Sequence, residues 1–156
     1  MMTLQQAVDD FLAQQRIAVA GVSRSTTSAA NAIYRKLKGA GYEVFPINPK
    51  TETVEGDRCY ASVRDVPGGV QGVVIATPPE AALAIVGECA DLGISRVWMH
   101  RSFGAGSVSE AAAARARERG MTVIAGACPM MYCKPVDFGH RCIRAVLKLT
   151  GGLPKP

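Results

Sequence analysis

Aromatic residues make up only 6% of the chain, with a single Trp, so a surface built to stack unpaired bases is disfavoured. No apolar run approaches the roughly 20 residues that a membrane span needs. The opening MMTLQQAVDDFLAQQ holds two acids and no basic residue, which argues against a secretory or mitochondrial leader. A cytoplasmic location is expected, and neither a membrane nor a nucleic acid is expected as partner. The five cysteines, Cys59, Cys89, Cys128, Cys133 and Cys142, are odd in number and irregularly spaced, so reduced thiols are the expectation. Cys128-x4-Cys133 with His140 and Cys142 matches no common zinc spacing, and no metal site is assigned.

The composition is otherwise that of a single globular domain: 156 residues, 48% hydrophobic and 20% charged. The formal charge is +5 and the pI about 9.1, with the basic residues spread along the chain instead of forming a run. That balance favours a phosphorylated small molecule over nucleic acid. The domain is expected over 1–150, with a tail, 151–156, expected to fray.

The organising stretch runs over 16–49, RIAVAGVSRSTTSAANAIYRKLKGAGYEVFPINP. A β-branched run at 17–22 ends in Gly21 and five hydroxyl residues, a helix follows over about 28–38, and a second strand over 43–47 closes on Asn48-Pro49. A helix N-terminus offers unpaired N–H groups and the positive end of the peptide dipoles, which suits an anion. Ahead of this unit, Leu4, Val8, Phe11 and Leu12 recur at helical spacing after Thr3. Beyond it, 51–60 leaves room for a brief strand and Ser62 caps a helical turn. Gly72 to Thr77 is a continuous apolar run of the kind buried on both faces of a parallel sheet. Pro78-Pro79 opens a helix in which Ala81, Ala84, Ile85, Glu88, Cys89 and Leu92 recur at helical spacing. A strand over 96–99, a helix over 110–119, a strand over 121–125 and a closing helix over 137–149 complete the pattern. This alternation predicts an α/β fold: one Rossmann-like, doubly wound domain with a mainly parallel sheet flanked by helices.

Ligands of such sheets sit beyond the carboxyl ends of the strands. The residues expected there are Ser23 to Thr27, then Asn48, Pro49 and Lys50, then Thr77, Pro78 and Pro79, then His100 to Gly104. No carboxylate is among them. A dinucleotide site for NAD has G-x-G-x-x-G in the first turn and an acid closing the second strand. Here only the first glycine remains and Asn48 closes the strand, so a nucleotide with an added ribose phosphate, NADP or coenzyme A, fits Lys50 and Arg24 better.

Gly21-Val22-Ser23-Arg24-Ser25-Thr26, the Asn48-Pro49-Lys50 turn, Thr77 to Ile85 and Gly93 to Met99 together resemble the CoA-binding domain of the succinyl-CoA synthetase alpha subunit. The resemblance is closer still to the small stand-alone CoA-binding proteins of bacteria and archaea, and it covers nearly the whole chain. It implies Ser23, Arg24, Ser25 and Thr26, after Gly21, at the CoA phosphates, and Asn48, Pro49 and Lys50 near the ribose phosphate. It also implies Thr77, Pro78, Trp98 and Met99 along the groove. Coenzyme A or an acyl-CoA is the cofactor it implies. Two departures matter. The synthetase subunit carries a second domain with a phosphorylated histidine that has no counterpart in these residues, so synthetase chemistry does not carry over; and Arg24 stands where the synthetase pattern has Gly.

No catalytic set is assigned. His100 is either a rim donor or a surface imidazole, and Asp137 reads as a helix cap for the segment containing His140. Trp98 either closes the core or covers the ligand, and Cys128, after the last strand, is a candidate for exchange with a ligand thiol. The expected function is binding of CoA or acyl-CoA without catalysis. The alternatives are a small NADP-dependent oxidoreductase, a subunit of an acyl-CoA enzyme needing a partner, or a sensor that self-associates. A homo-oligomer or a partner subunit is compatible with each.

Overall fold

A computed structural model describes residues 1–155. Helix α1 (Leu4–Leu12) starts in a capping box: Gln6 N–H donates to Thr3 Oγ1 at 3.2 Å, and Thr3 N–H donates to Gln6 Oε1 at 2.8 Å. Strand β1 (Arg16–Ala20), helix α2 (Ala29–Gly39) and strand β2 (Glu43–Ile47) form the first βαβ unit. A small antiparallel pair, β3 (Thr53–Val54) and β4 (Asp57–Arg58), and a 3-10 turn, Val63–Asp65, lead to β5 (Gly72–Ile75). Then come α3 (Pro79–Asp91), β6 (Arg96–Met99), α4 (Glu110–Glu118), β7 (Thr122–Ala125), a 3-10 turn at Pro129–Met131 and α5 (Phe138–Thr150). Among the described residues, no helix is long and apolar enough to cross a membrane.

The five long strands are all parallel, in the order β2-β1-β5-β6-β7. Strand alternation sends successive side chains to opposite faces, and each face has its own core. Val19, Val74, Trp98 and Ile124 lie in register across four strands and pack under α1, α2 and α5 with Phe11, Ile33 and Leu147. Ala18, Val73 and Val97 belong to the row that packs under α3 and α4 with Ala82, Val86 and Ala113. The expected doubly wound α/β architecture is therefore present.

The differences from expectation are local. β1 stops at Ala20 because Gly21 has φ +104°, outside the strand region. The segment 51–60 holds two short strands, turned by Glu55 and Gly56, both at positive φ. Its end shields the outer side of β2: Tyr60 N–H donates to Pro46 O and Asn48 N–H to Tyr60 O, each at 2.9 Å. Of the tail 151–156, Gly151 is the left-handed cap of α5, Gly152 N–H donates to Leu147 O, and Leu153 packs against the core; Pro156 lies outside the described residues.

Gly21 is where the backbone tolerates least. A Cβ built there would sit 2.3 Å from Ala76 O and 2.7 Å from Ala76 C, and both are main-chain atoms that cannot swing away. Gly21→Ala is expected to cost at least about 2 kcal/mol from the positive φ and the clash together. Urea denaturation checks this, and a variant as stable as wild type contradicts it.

Candidate functional site at the strand-order reversal

The chain leaves β1 toward one face of the sheet, into α2, and leaves β5 toward the other, into α3. Because β1 and β5 are neighbours, their exit loops diverge and open a crevice at the carboxyl end of the sheet, which is the switch point where such folds bind ligands. The crevice has a volume of about 450 Å³, within the range of small-molecule sites. Gly21, Asn48, Pro49, Lys50, Thr77 and Pro78 all line it. Its wall is apolar, formed by Val63 and by Ala81, Ala84 and Ile85 of α3, with Ser62 and Glu88 at the edge.

The α3 wall was missed in sequence because its residues sit in a pattern that also reads as core. The helix side facing the sheet is Ala82, Val86 and Cys89. The neighbouring stripe 81-84-85-88 faces the crevice, and its small side chains ending in Glu88 were the available signal. Glu88 Oε1 accepts Arg64 N–H at 2.7 Å, which fixes the 3-10 turn against α3.

Asn48 acts on the chain itself. Its Nδ2 donates to Val22 O at 3.0 Å and its Oδ1 accepts Lys50 N–H at 2.8 Å, an Asx turn that joins the β1 and β2 exits. Lys50 is exposed at the crevice edge.

Ser23, Arg24, Ser25 and Thr26 form the loop between the crevice and α2; Ser23 is half-buried and the other three are exposed. The loop is held by Asn31, a fully buried residue of α2 that the sequence reading did not single out. Asn31 Oδ1 accepts Ser23 N–H at 3.0 Å and the Ser28 hydroxyl at 2.6 Å; its Nδ2 donates to Ser23 O at 2.8 Å and to Glu55 Oε1 at 2.7 Å. Arg35 Nη1 donates to Thr26 O at 2.9 Å and to Glu55 at 2.7 Å. Ser28 Oγ caps α2 by accepting Asn31 N–H. Among the described residues, the main-chain N–H groups of Thr26, Thr27, Ala29 and Ala30 find no hydrogen-bond partner, which leaves free donors at the start of α2.

Trp98 and Met99 are corrected: neither reaches the groove. As consecutive strand residues they point to opposite faces, and helices cover both faces, so each is fully buried. Trp98 packs edge-on against Phe11 at 5.4 Å, and its indole N–H donates to Gly126 O at 3.0 Å. Of its two sequence readings, core closure is the one the structure takes.

The remaining groups of chemical interest are tied into the fold. Asp137 caps α5, accepting His140 N–H at 2.9 Å and bonding His140 Nδ1 at 2.7 Å; these contacts hold its carboxyl below the usual range, the main-chain bond contributing most. Burial, with the nearby His140 second, holds His100 below the usual imidazole range. Burial pushes the Cys128 thiol up to about 11, and only 3% of the residue is exposed. A buried neutral thiol is a poor nucleophile for disulfide exchange.

A doubly wound parallel sheet with an open crevice at the switch point defines an α/β domain of Rossmann-like kind. Residues 15–134 match the family model for a CoA binding domain, and the chain belongs to that family. The alpha subunit of ADP-forming acetate–CoA ligase II from Pyrococcus furiosus is 31% identical over 91 residues, 58% of this chain and 20% of that protein. The uncharacterized protein YneT of Bacillus subtilis is 26% identical over 114 residues, 73% of this chain and 82% of that protein. A hypothetical protein from Pyrococcus horikoshii superposes with a TM-score of 0.73 at 30% identity, covering 79% of this chain and 84% of that one. The chain spans between 11% and 20% of the length of the first acetate–CoA ligase relatives.

Two outcomes follow from this geometry. Asn31→Ala strands Ser23 N–H and weakens the tie to Glu55, and is expected to cost about 1–3 kcal/mol in urea denaturation; a loss below about 0.5 kcal/mol contradicts the network's role. Of the five cysteines only Cys142 is exposed, so a colorimetric thiol reagent should titrate one group per native chain and all five after denaturation. Rapid modification of Cys128 in the native protein runs against that assignment.

Proposed function

We propose that the chain binds coenzyme A or an acyl-CoA in the switch-point crevice and carries out no chemistry on it alone. The observation that carries this reading is the pairing of an apolar wall, Val63, Ala81, Ala84 and Ile85, with Lys50 at the edge and no acid at the exit of β2. The wall suits a purine. Lys50 suits a phosphate on the ribose, where an NAD site would place a carboxylate. The unpaired amides at the start of α2, with Arg24, suit the diphosphate. Membership in the CoA binding domain family supports the same ligand. The absence of catalysis rests on the lining: Glu88 is its carboxylate, and it is engaged by the Arg64 main chain.

A second reading has its own observation. The chain spans at most a fifth of the acetate–CoA ligase relatives, so a CoA-presenting subunit whose partner supplies the chemistry also accounts for it.

Thermal denaturation with CoA, dephospho-CoA, NADP, NAD and ATP tests the proposal. CoA at about 100 times its Kd should stabilise by about 2.7 kcal/mol. Loss of the ribose phosphate should weaken binding by about tenfold or more, as expected for one charge-assisted contact, and Lys50→Ala should remove that difference. Stabilisation by NAD with none by CoA sinks the reading. Equal affinity for CoA and dephospho-CoA removes Lys50 from it.

A further inference from the structure

Helix α5 is anchored to the domain by Ile143 and Leu147, which leaves most of its circumference facing outward. Phe138 is 80% exposed, Leu149 88% and Val146 47%, and Cys142 and Ala145 between them are exposed as well. At 100° per residue, 138, 149, 142 and 146 fall within an arc of about 80°, so these side chains form one stripe along the helix. Bulky residues this exposed and this well aligned exceed the scattered apolar surface of an ordinary monomer.

Beside the stripe runs a groove of about 510 Å³ between α5 and the start of α1. Leu4, Tyr132 and Leu153 supply its apolar lining, and Arg141, Arg144 and Lys148 its charges; among the described residues no carboxylate side chain lines it. Arg144 is fixed in place, donating to Met131 O at 3.2 Å with its guanidinium 5.2 Å from the Tyr132 ring centroid. The helix itself carries no acid between Phe138 and Thr150. The exposed apolar stripe is thus bordered on one side by a positively charged groove.

We infer that this face docks an amphipathic helical segment of a partner protein, one that places an apolar stripe on Phe138, Val146 and Leu149 and acidic side chains against Arg141 and Lys148. Helix-in-groove recognition uses anchors at such spacing, with flanking charge setting the choice of partner. A second copy of this chain fits less well. Two α5 helices packed antiparallel about a two-fold axis bring the same cationic flank of each together. A lipid surface fits less well too, because a flat bilayer leaves the groove unfilled. The inference stands apart from the coenzyme reading, since the stripe and its charged flank are carried by α5, beyond the residues 15–134 that match the CoA binding domain.

Calorimetric titration of the full chain at low salt compares two synthetic amphipathic peptides with the same leucine pattern, one flanked by Glu and one by Lys. The Glu peptide is expected to bind at least tenfold more tightly, and Arg141→Glu with Lys148→Glu should reverse the preference. Phe138→Ser with Leu149→Ser should abolish binding of both while leaving the melting temperature near wild type, because both side chains are exposed; if that variant misfolds, the charge reversal decides alone. No binding, or equal affinity for the two peptides, overturns the inference. So does a dimer in native mass spectrometry that the serine variant dissolves, and so does co-sedimentation with phosphatidylcholine–phosphatidylserine vesicles that the serine variant loses.

Discussion

Gly21 lets the main chain leave β1 in contact with the carbonyl of Ala76, at a φ of +104°, and the crevice depends on that approach. With a side chain there, the β1 and β5 exits would have to separate. Gly21 N–H also donates to Ile47 O at 3.1 Å, so one residue sets the spacing among the exits of β2, β1 and β5. Asn48 repeats the tie one layer outward by bonding Val22 O. The site at the β1 exit is therefore shaped by main chain, and side chains supply its wall on the α3 side.

The loop that follows would be free to wander if nothing opposed it, since Arg24 to Thr27 are exposed. Asn31 and Arg35 oppose it from α2, and Glu55 braces both from the β3–β4 turn. Buried polar groups stabilise a fold only when satisfied, and among the described residues no buried side-chain polar atom lacks a partner. The arrangement fixes the carbonyls of Ser23 and Thr26 while leaving the first amides of α2 unpaired. Donors held in this way lose little freedom when an anion arrives.

The parallel, doubly wound α/β architecture was legible in sequence because it follows from periodicity and punctuation, and of the residues named from the strand exits Gly21, Asn48, Pro49, Lys50, Thr77 and Pro78 line the crevice. β2 and β6 span the residues expected of them, 43–47 and 96–99, and Gly21, Asn48 and Pro78 mark the exits of β1, β2 and β5. Three features were not legible, each for a physical reason. Trp98 sits one residue from a strand exit, and only the cross-strand row Val19-Val74-Trp98-Ile124 shows that it belongs to the core. The α3 wall differs from the α3 core face by one position, too fine a distinction for alanine-rich periodicity. The Asn31–Glu55 bond joins residues 24 apart, and a buried Asn in a helix looks in sequence like an exposed one.

The acids and thiols singled out as chemically interesting are each committed to the fold by a bond or by burial. Glu88 supports Arg64, Asp137 caps α5 and pairs with His140, and Cys128 is buried with its proton retained. Releasing Glu88 or Asp137 for catalysis would leave a main-chain donor unpaired, a cost of about 1–3 kcal/mol before any chemistry begins. Under the proposed function that cost has a counterpart: a site whose acids and thiols are committed to the fold holds a reactive thioester without attacking it. Reactivity then has to come from whatever meets the ligand outside the crevice. On that proposal the surface with the strongest physical reason to meet another molecule is the exposed apolar and cationic face of α5, on the opposite side of the sheet from the α3 wall.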